Sequence, residues 1–166
     1  MTRTFTTISE DHTLDVARSF AADLRRGDVV ALYGELGAGK TQFVKGVCRH
    51  FGVHELVASP TFILLNRYSG TDESGRELLI YHVDLYRVKS LDEVYDLGFE
   101  EFSSGDGICL IEWAERMTQL LPAHRYDILL EHGSSESERI ISITKIAENG
   151  TDSGSRKEQD VRSIGS

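Results

Sequence analysis

Basic charge is what this sequence has least of. Over 166 residues, 18 lysines and arginines stand against 27 aspartates and glutamates, a formal net charge of −9. Affinity for nucleic acid grows from phosphates neutralised by Lys and Arg, so the balance argues against a broad phosphate-tracking surface, and direct contact with RNA is not expected to dominate the function. Cysteine is scarce as well. Cys48 and Cys109 stand far apart, each in an apolar segment. That points to two buried free thiols rather than a disulfide framework or a zinc site. No apolar run approaches the ~20 residues of a membrane-spanning helix. The start, Met1-Thr2-Arg3-Thr4-Phe5, has no apolar secretory core. A cytoplasmic chain without a membrane partner is expected.

The apolar fraction, 40%, is slightly low, and the stretch from Glu148 to Ser166 helps to explain it, with only Val161 and Ile164 as larger apolar residues. One domain over 1–146 and a disordered tail over 147–166 are expected. A second polar stretch holds Asp92, Glu93, Asp96, Glu100, Glu101 and Asp106, with no Lys or Arg from 90 to 106. It is either a solvated acidic face or a docking surface for a basic partner.

Against this background one octapeptide carries the chemistry: Gly34-Glu35-Leu36-Gly37-Ala38-Gly39-Lys40-Thr41. It fits G-x-x-x-x-G-K-[ST], the P-loop that cradles nucleoside phosphates. The apolar run Asp28–Tyr33 before it reads as a buried strand. Phe43, Val44, Val47 and Phe51 after it recur at helical spacing. Strand, glycine loop and helix are what phosphate binding needs. Glycines allow close backbone approach, and the helix N-terminus presents N–H groups and a positive dipole end. Lys40 is expected on the β- and γ-phosphates and the Thr41 hydroxyl on Mg²⁺.

The rest of the chain reads as a three-layer α/β domain of P-loop NTPase type with a mixed parallel and antiparallel sheet. A strand over 4–8 precedes an amphipathic helix marked by Leu14, Ala17, Ala21 and Leu24, capped by Ser9 or Asp11 and ended by Gly27. Strands over 60–68 and 77–84 flank a turn at 69–75, which predicts an antiparallel pair. Ser90 and Glu93 open a short helix as a capping box. A buried strand over 107–112 leads to a helix over 114–121, stopped by Pro122. Two last strands, 125–131 and 139–146, pair around Gly133-Ser134-Ser135.

A P-loop needs a second carboxylate for its metal, usually at a buried strand end. Asp84 and Glu112 both qualify, and spacing alone does not choose between them; the unbroken apolar run Ile108–Ile111 slightly favours Glu112. Asp84 is then left to position water near the γ-phosphate. Alternation puts His82, Asp84 and Tyr86 on one face if the strand continues that far. His82, Tyr86, Arg87 and Trp113 are candidate contacts to phosphate or to a partner. Ser59-Pro60-Thr61-Phe62 occupies the place of a nucleotide-sensing switch.

Taken together, Gly-Glu-Leu-Gly-Ala-Gly-Lys-Thr at 34–41, Ser-Pro-Thr-Phe at 59–62, His-Val-Asp-Leu-Tyr-Arg at 82–87 and Ile-Glu-Trp at 111–113 resemble the TsaE (YjeE) family. The resemblance spans roughly 5–146. It implies a slow, Mg²⁺-dependent ATPase that supports the TsaD–TsaB complex in threonylcarbamoyladenosine modification of tRNA next to the anticodon. It also implies phosphate binding by Gly37 to Gln42, Mg²⁺ on Thr41 and Glu112, a hydrolytic role for Asp84, a switch at Ser59 to Phe62, and adenine near Thr7 to Glu10. The residues themselves leave rivals. A small-molecule kinase would use Asp84 as base, and a nucleotide-switched adaptor would not turn over. An Asn-Lys-x-Asp guanine motif and an arginine-rich lid are both missing. Their absence weighs against a Ras-like GTPase and a nucleotide kinase.

Overall fold

The computed structural model describes residues 1–60 and 64–147. Thr61 and Phe62 of the expected switch, and the expected tail beyond Ala147, lie outside the described residues. The elements are β1 (Thr2–Thr7), α1 (Glu10–Ala21), β2 (Val29–Tyr33), α2 (Lys40–His50), β3 (Leu65–Thr71), β4 (Glu77–Asp84), α3 (Leu91–Asp96), α4 (Phe99–Ser103), β5 (Ile108–Glu112), a 3₁₀ helix (Ala114–Leu120), β6 (Arg125–His132) and β7 (Arg139–Ile146).

All seven strands join one sheet in the order β1-β7-β6-β2-β5-β4-β3. The central four, β6, β2, β5 and β4, are parallel. The flanking pairs β1/β7, β7/β6 and β3/β4 are antiparallel. β2 lies at the centre, and its Val29, Val30, Ala31 and Leu32 are all buried, because helices cover both faces of a parallel sheet. Alternation divides those four residues between two cores. Val30 and Leu32 join Phe20, Phe43, Val44 and Val47 of α1 and α2. Val29 and Ala31 join Val94, Phe99, Phe102 and Met117 beyond the other face. The result is the expected three-layer α/β domain with a mixed sheet.

α1 starts where the sequence places it: the Ser9 hydroxyl accepts from the His12 N–H at 3.0 Å, satisfying one orphan donor of the first turn. It ends earlier than Gly27. The helix stops at Ala21, and a turn held by Asp28 Oδ2 accepting from the Arg25 N–H at 2.7 Å leads into β2.

The larger departure is β3. It begins at Leu65 rather than Pro60 and continues through Ser69-Gly70-Thr71, residues that read as turn. Packing against the end of α2 outweighs their turn propensity. The Thr71 N–H donates to the Phe51 carbonyl at 2.7 Å, and a Cβ at Gly70 would lie 2.9 Å from that oxygen. The turn falls at Asp72–Gly75, where Asp72 Oδ1 accepts from the N–H groups of Ser74 and Arg76.

The capping box at Ser90 forms differently as well. Ser90 has extended backbone but makes no side-chain cap bond, and Glu93 accepts from the Lys89 N–H at 3.0 Å. A second short helix, α4, follows Gly98 (φ 83°) and has no counterpart in the sequence reading. The segment after β5 is a 3₁₀ helix broken at Met117, not an α-helix.

Candidate active site at the P-loop

The parallel order brings the carboxyl ends of β2, β4 and β5 together, and the loop from β2 to α2 wraps over them. Gly34, Gly37 and Gly39 take φ of 149°, 78° and 105°, the left-handed region that L-residues avoid. At Gly34 the close approach is as demanding as the dihedral: a Cβ would lie 2.5 Å from the Leu130 carbonyl. The loop opens α2 with no side-chain cap at Gly39, so its first N–H groups face outward as anion donors.

Lys40 is buried. Its ammonium donates to the carbonyls of Gly34 and, at 3.1 Å, Glu35, and lies 3.7 Å from the centre of the Trp113 ring. Burial holds its pKa below the usual lysine range, while the carboxylates of Glu115, Glu112 and Asp84 act in the opposite direction. Trp113 reaches it through an unusual turn. It is the non-glycine residue with positive φ among those described (φ 59°, ψ 41°), a conformation that costs an L-residue roughly 1–2 kcal/mol. Tyr86 packs against the Trp113 ring, centroids 4.8 Å apart.

Asp84 and Glu112 end adjacent parallel strands and are paired in register. Their environments separate them. Glu112 is buried and accepts from the Thr41 hydroxyl, at 2.9 Å to Oε1 and 3.1 Å to Oε2. Asp84 accepts from the Ser59 hydroxyl at 2.5 Å and from the Tyr86 N–H at 2.9 Å. A Thr hydroxyl beside a carboxylate is an all-oxygen donor set suited to Mg²⁺. Two oxygens 2.9 Å apart are also spaced as neighbouring ligands of an octahedral ion with ~2.1 Å bonds. Among the described residues no group of three or more His, Cys, Asp and Glu side chains forms a metal cage.

These residues line a cleft of about 770 Å³ that takes in the whole run Gly37 to Gln42, with Ser59, Pro60, Asp84, Tyr86, Arg87, Glu112 and Trp113. Its volume is that of a small-ligand site. Thus the phosphate loop, both carboxylates and the described half of the switch converge. His82 does not face the cleft. It is fully buried, bonded to Glu112 and Tyr68, and so stands behind the carboxylate instead of touching phosphate or a partner. Tyr86 lies past the end of β4, and a backbone bond to Asp84 holds it instead of the strand alternation. At the N-terminal side Glu10 lines the cleft, and its carbonyl accepts from Gln42 Nε2 at 3.2 Å.

Two contributors were not legible in the sequence. Arg139 on β7 donates to the Gly37 carbonyl at 3.2 Å across 102 positions, and no local signal marks it. Tyr68 supports His82 from β3, and only the period-2 pairing of two strands whose register is known would have found it.

A family model described as "Threonylcarbamoyl adenosine biosynthesis protein TsaE" matches residues 7–141. A tRNA threonylcarbamoyladenosine biosynthesis protein TsaE from Bacillus subtilis is 38% identical over 140 residues, 84% of each chain. Its namesake from Treponema pallidum is 45% identical over 107 residues, 64% of this chain and 75% of that one. The crystal structure of Bacillus subtilis YdiB superposes with a TM-score of 0.70 at 30% identity, covering 96% of both chains.

Proposed function

The chain belongs to the TsaE family of threonylcarbamoyl adenosine biosynthesis proteins, and we propose that within this role it is a slow, Mg²⁺-dependent ATPase. By this reading its cycle of binding and hydrolysis supports a TsaD–TsaB-type transferase acting on tRNA next to the anticodon. The observation that carries the reading is the meeting of Thr41 and Glu112 at 2.9 Å beside the glycine cradle, with Lys40 on the same loop.

Each residue has a task in that chemistry. The loop N–H groups and Lys40 bind the phosphates, Lys40 as a point charge. Thr41 and Glu112 would hold Mg²⁺, which supplies charge neutralisation on the β- and γ-phosphate oxygens. Asp84, with one oxygen on Ser59 and the other on the Tyr86 N–H, would orient the attacking water and take up its proton. Ser59 joins that carboxylate to the segment entering the switch, so hydrolysis and the conformation of that segment are linked. The domain is a single α/β unit whose cleft is lined by this machinery, which suits an ATPase that acts on a partner enzyme.

The test is ATP turnover by the purified chain, alone and with the TsaD–TsaB pair, with Lys40→Ala as control. Low turnover that rises with the pair and vanishes in Lys40→Ala is expected. Turnover indifferent to the pair, with no binding to it, contradicts the proposal.

A further inference from the structure

Two lines of hydrogen bonds leave the paired strand ends, and both finish on neighbouring residues. The short line runs from Asp84 Oδ2 to the Ser59 hydroxyl at 2.5 Å. The long line runs from Glu112 Oε2 to His82 Nε2 at 2.5 Å and from His82 Nδ1 to the Tyr68 oxygen at 3.1 Å. It ends at the main chain of Ala58, 3.2 Å from the carbonyl and 3.4 Å from the N–H. His82 is 0% exposed and Tyr68 4%, so their polar atoms depend on these protein partners.

Proton accounting sets the direction of the long line. An ionised Glu112 only accepts, so His82 Nε2 carries the proton between them. In the neutral ring Nδ1 then accepts, and the Tyr68 hydroxyl beside it is the donor. The Tyr68 oxygen accepts from the Ala58 N–H, and the Ala58 carbonyl is supplied by Asn66 Nδ2 at 3.1 Å. Every group is then satisfied in one orientation of the imidazole, which fixes the tautomer and the carboxylate together.

We propose that His82 and Tyr68 are positioning residues for Glu112, holding its carboxylate toward Thr41 and coupling it to the main chain at Ala58, directly before Ser59 and Pro60. The proposal rests on the reading of Thr41 and Glu112 as the Mg²⁺ pair. It extends that reading in one respect: both carboxylates answer to the same short segment, Asp84 through Ser59 and Glu112 through His82 and Tyr68. A shift of residues 58–59 therefore disturbs water positioning and metal binding at once, although neither residue would touch the metal.

Calorimetric titration of ATP into the full chain, once in Mg²⁺ and once in EDTA, tests this. The ratio of the two affinities isolates the metal's contribution. Outer partners of metal ligands typically alter metal affinity by about 10–100-fold, so His82→Leu should lower the ratio by about that factor and Tyr68→Phe, which loses only a hydroxyl, by about three- to tenfold. Affinity in EDTA should stay near wild type in both. His82→Gln keeps an N–H donor toward Glu112 and should recover much of the ratio. Amide hydrogen exchange over residues 55–60 should quicken in Tyr68→Phe. An unchanged ratio in both His82→Leu and Tyr68→Phe overturns the proposal. So does a parallel loss of both affinities in Tyr68→Phe, the signature of a purely structural role. Absence of ATP affinity in the wild type under both conditions removes the ATPase reading, and the proposal with it.

Discussion

Asp84 and Glu112 face each other across one step of the β4/β5 ladder, yet their hydrogen-bond partners differ. Glu112 shares its oxygens with Thr41 and His82; Asp84 shares its own with Ser59 and Tyr86. Glu112→Ala should therefore weaken Mg²⁺-dependent nucleotide binding far more than binding in EDTA. Asp84→Asn keeps the shape but cannot take a proton, and should bind Mg²⁺ATP near normally while turnover falls by about 10²-fold or more. Parallel binding and single-turnover measurements separate the two, and the reverse pattern would exchange their roles. The two cysteines make a prediction of another kind. Burial pushes both Cys48 and Cys109 up to about 12. The folded state thus retains their protons where an unfolded thiol, near 8.5, loses them. Their contribution to stability is complete below pH ~8.5 and is lost as pH rises toward 12. Denaturant midpoints should fall across that window, and neither thiol should react with iodoacetamide at pH 8 unless the chain is unfolded. Both carboxylates are legible in the sequence, because a polar residue ending a buried apolar run has few reasons to be there. The part played by Tyr68 is not, because it depends on a cross-strand register that shifts the whole of β3 by several residues.

At the scale of elements, the seam between α1 and α2 governs how the phosphate loop is held. Gly46 on α2 lies so close to α1 that a Cβ would stand 2.4 Å from the Leu14 carbonyl and 2.6 Å from the Ala17 Cβ. Neither helix can yield without moving α2, whose first turn carries Lys40 and Thr41. Overpacking of this kind costs typically 1–3 kcal/mol. Gly46→Ala should therefore lower the midpoint of thermal unfolding by several degrees despite its better helix propensity, and a rise in the midpoint would contradict the packing account. The same seam explains what the sequence could and could not announce. Strand, glycine loop and helix around 34–41 form one local unit whose signals agree, so β2 and α2 emerge at nearly their expected bounds. β3, α4 and the 3₁₀ helix are set by what they pack against. Gly70 backs onto Phe51, Phe99 and Phe102 join the second core, and the left-handed turn at Trp113 precedes the 3₁₀ helix.

For the whole molecule, the acidic balance has a definite place. Asp92, Glu93, Asp96, Glu100, Glu101 and Asp106 are exposed while Val94, Phe99 and Phe102 beneath them are buried. The stretch is thus the solvated side of α3, α4 and the turn that follows them. Asp106 also pairs with Arg26 at 3.4 Å. This charge balance disfavours a broad surface for a nucleic-acid backbone. The central claim is that the cleft at the carboxyl ends of β2, β4 and β5 recognises the β- and γ-phosphates of ATP. Trp113, the one tryptophan of the chain, lies against Lys40 and reports on that event. Titration of ATP, ADP and AMP in Mg²⁺, followed by its fluorescence in wild type and Lys40→Ala, tests the claim most directly. Saturable changes with ATP and ADP, little with AMP, and loss of response in Lys40→Ala are predicted. Equal binding of all three nucleotides, or wild-type affinity in Lys40→Ala, would contradict it.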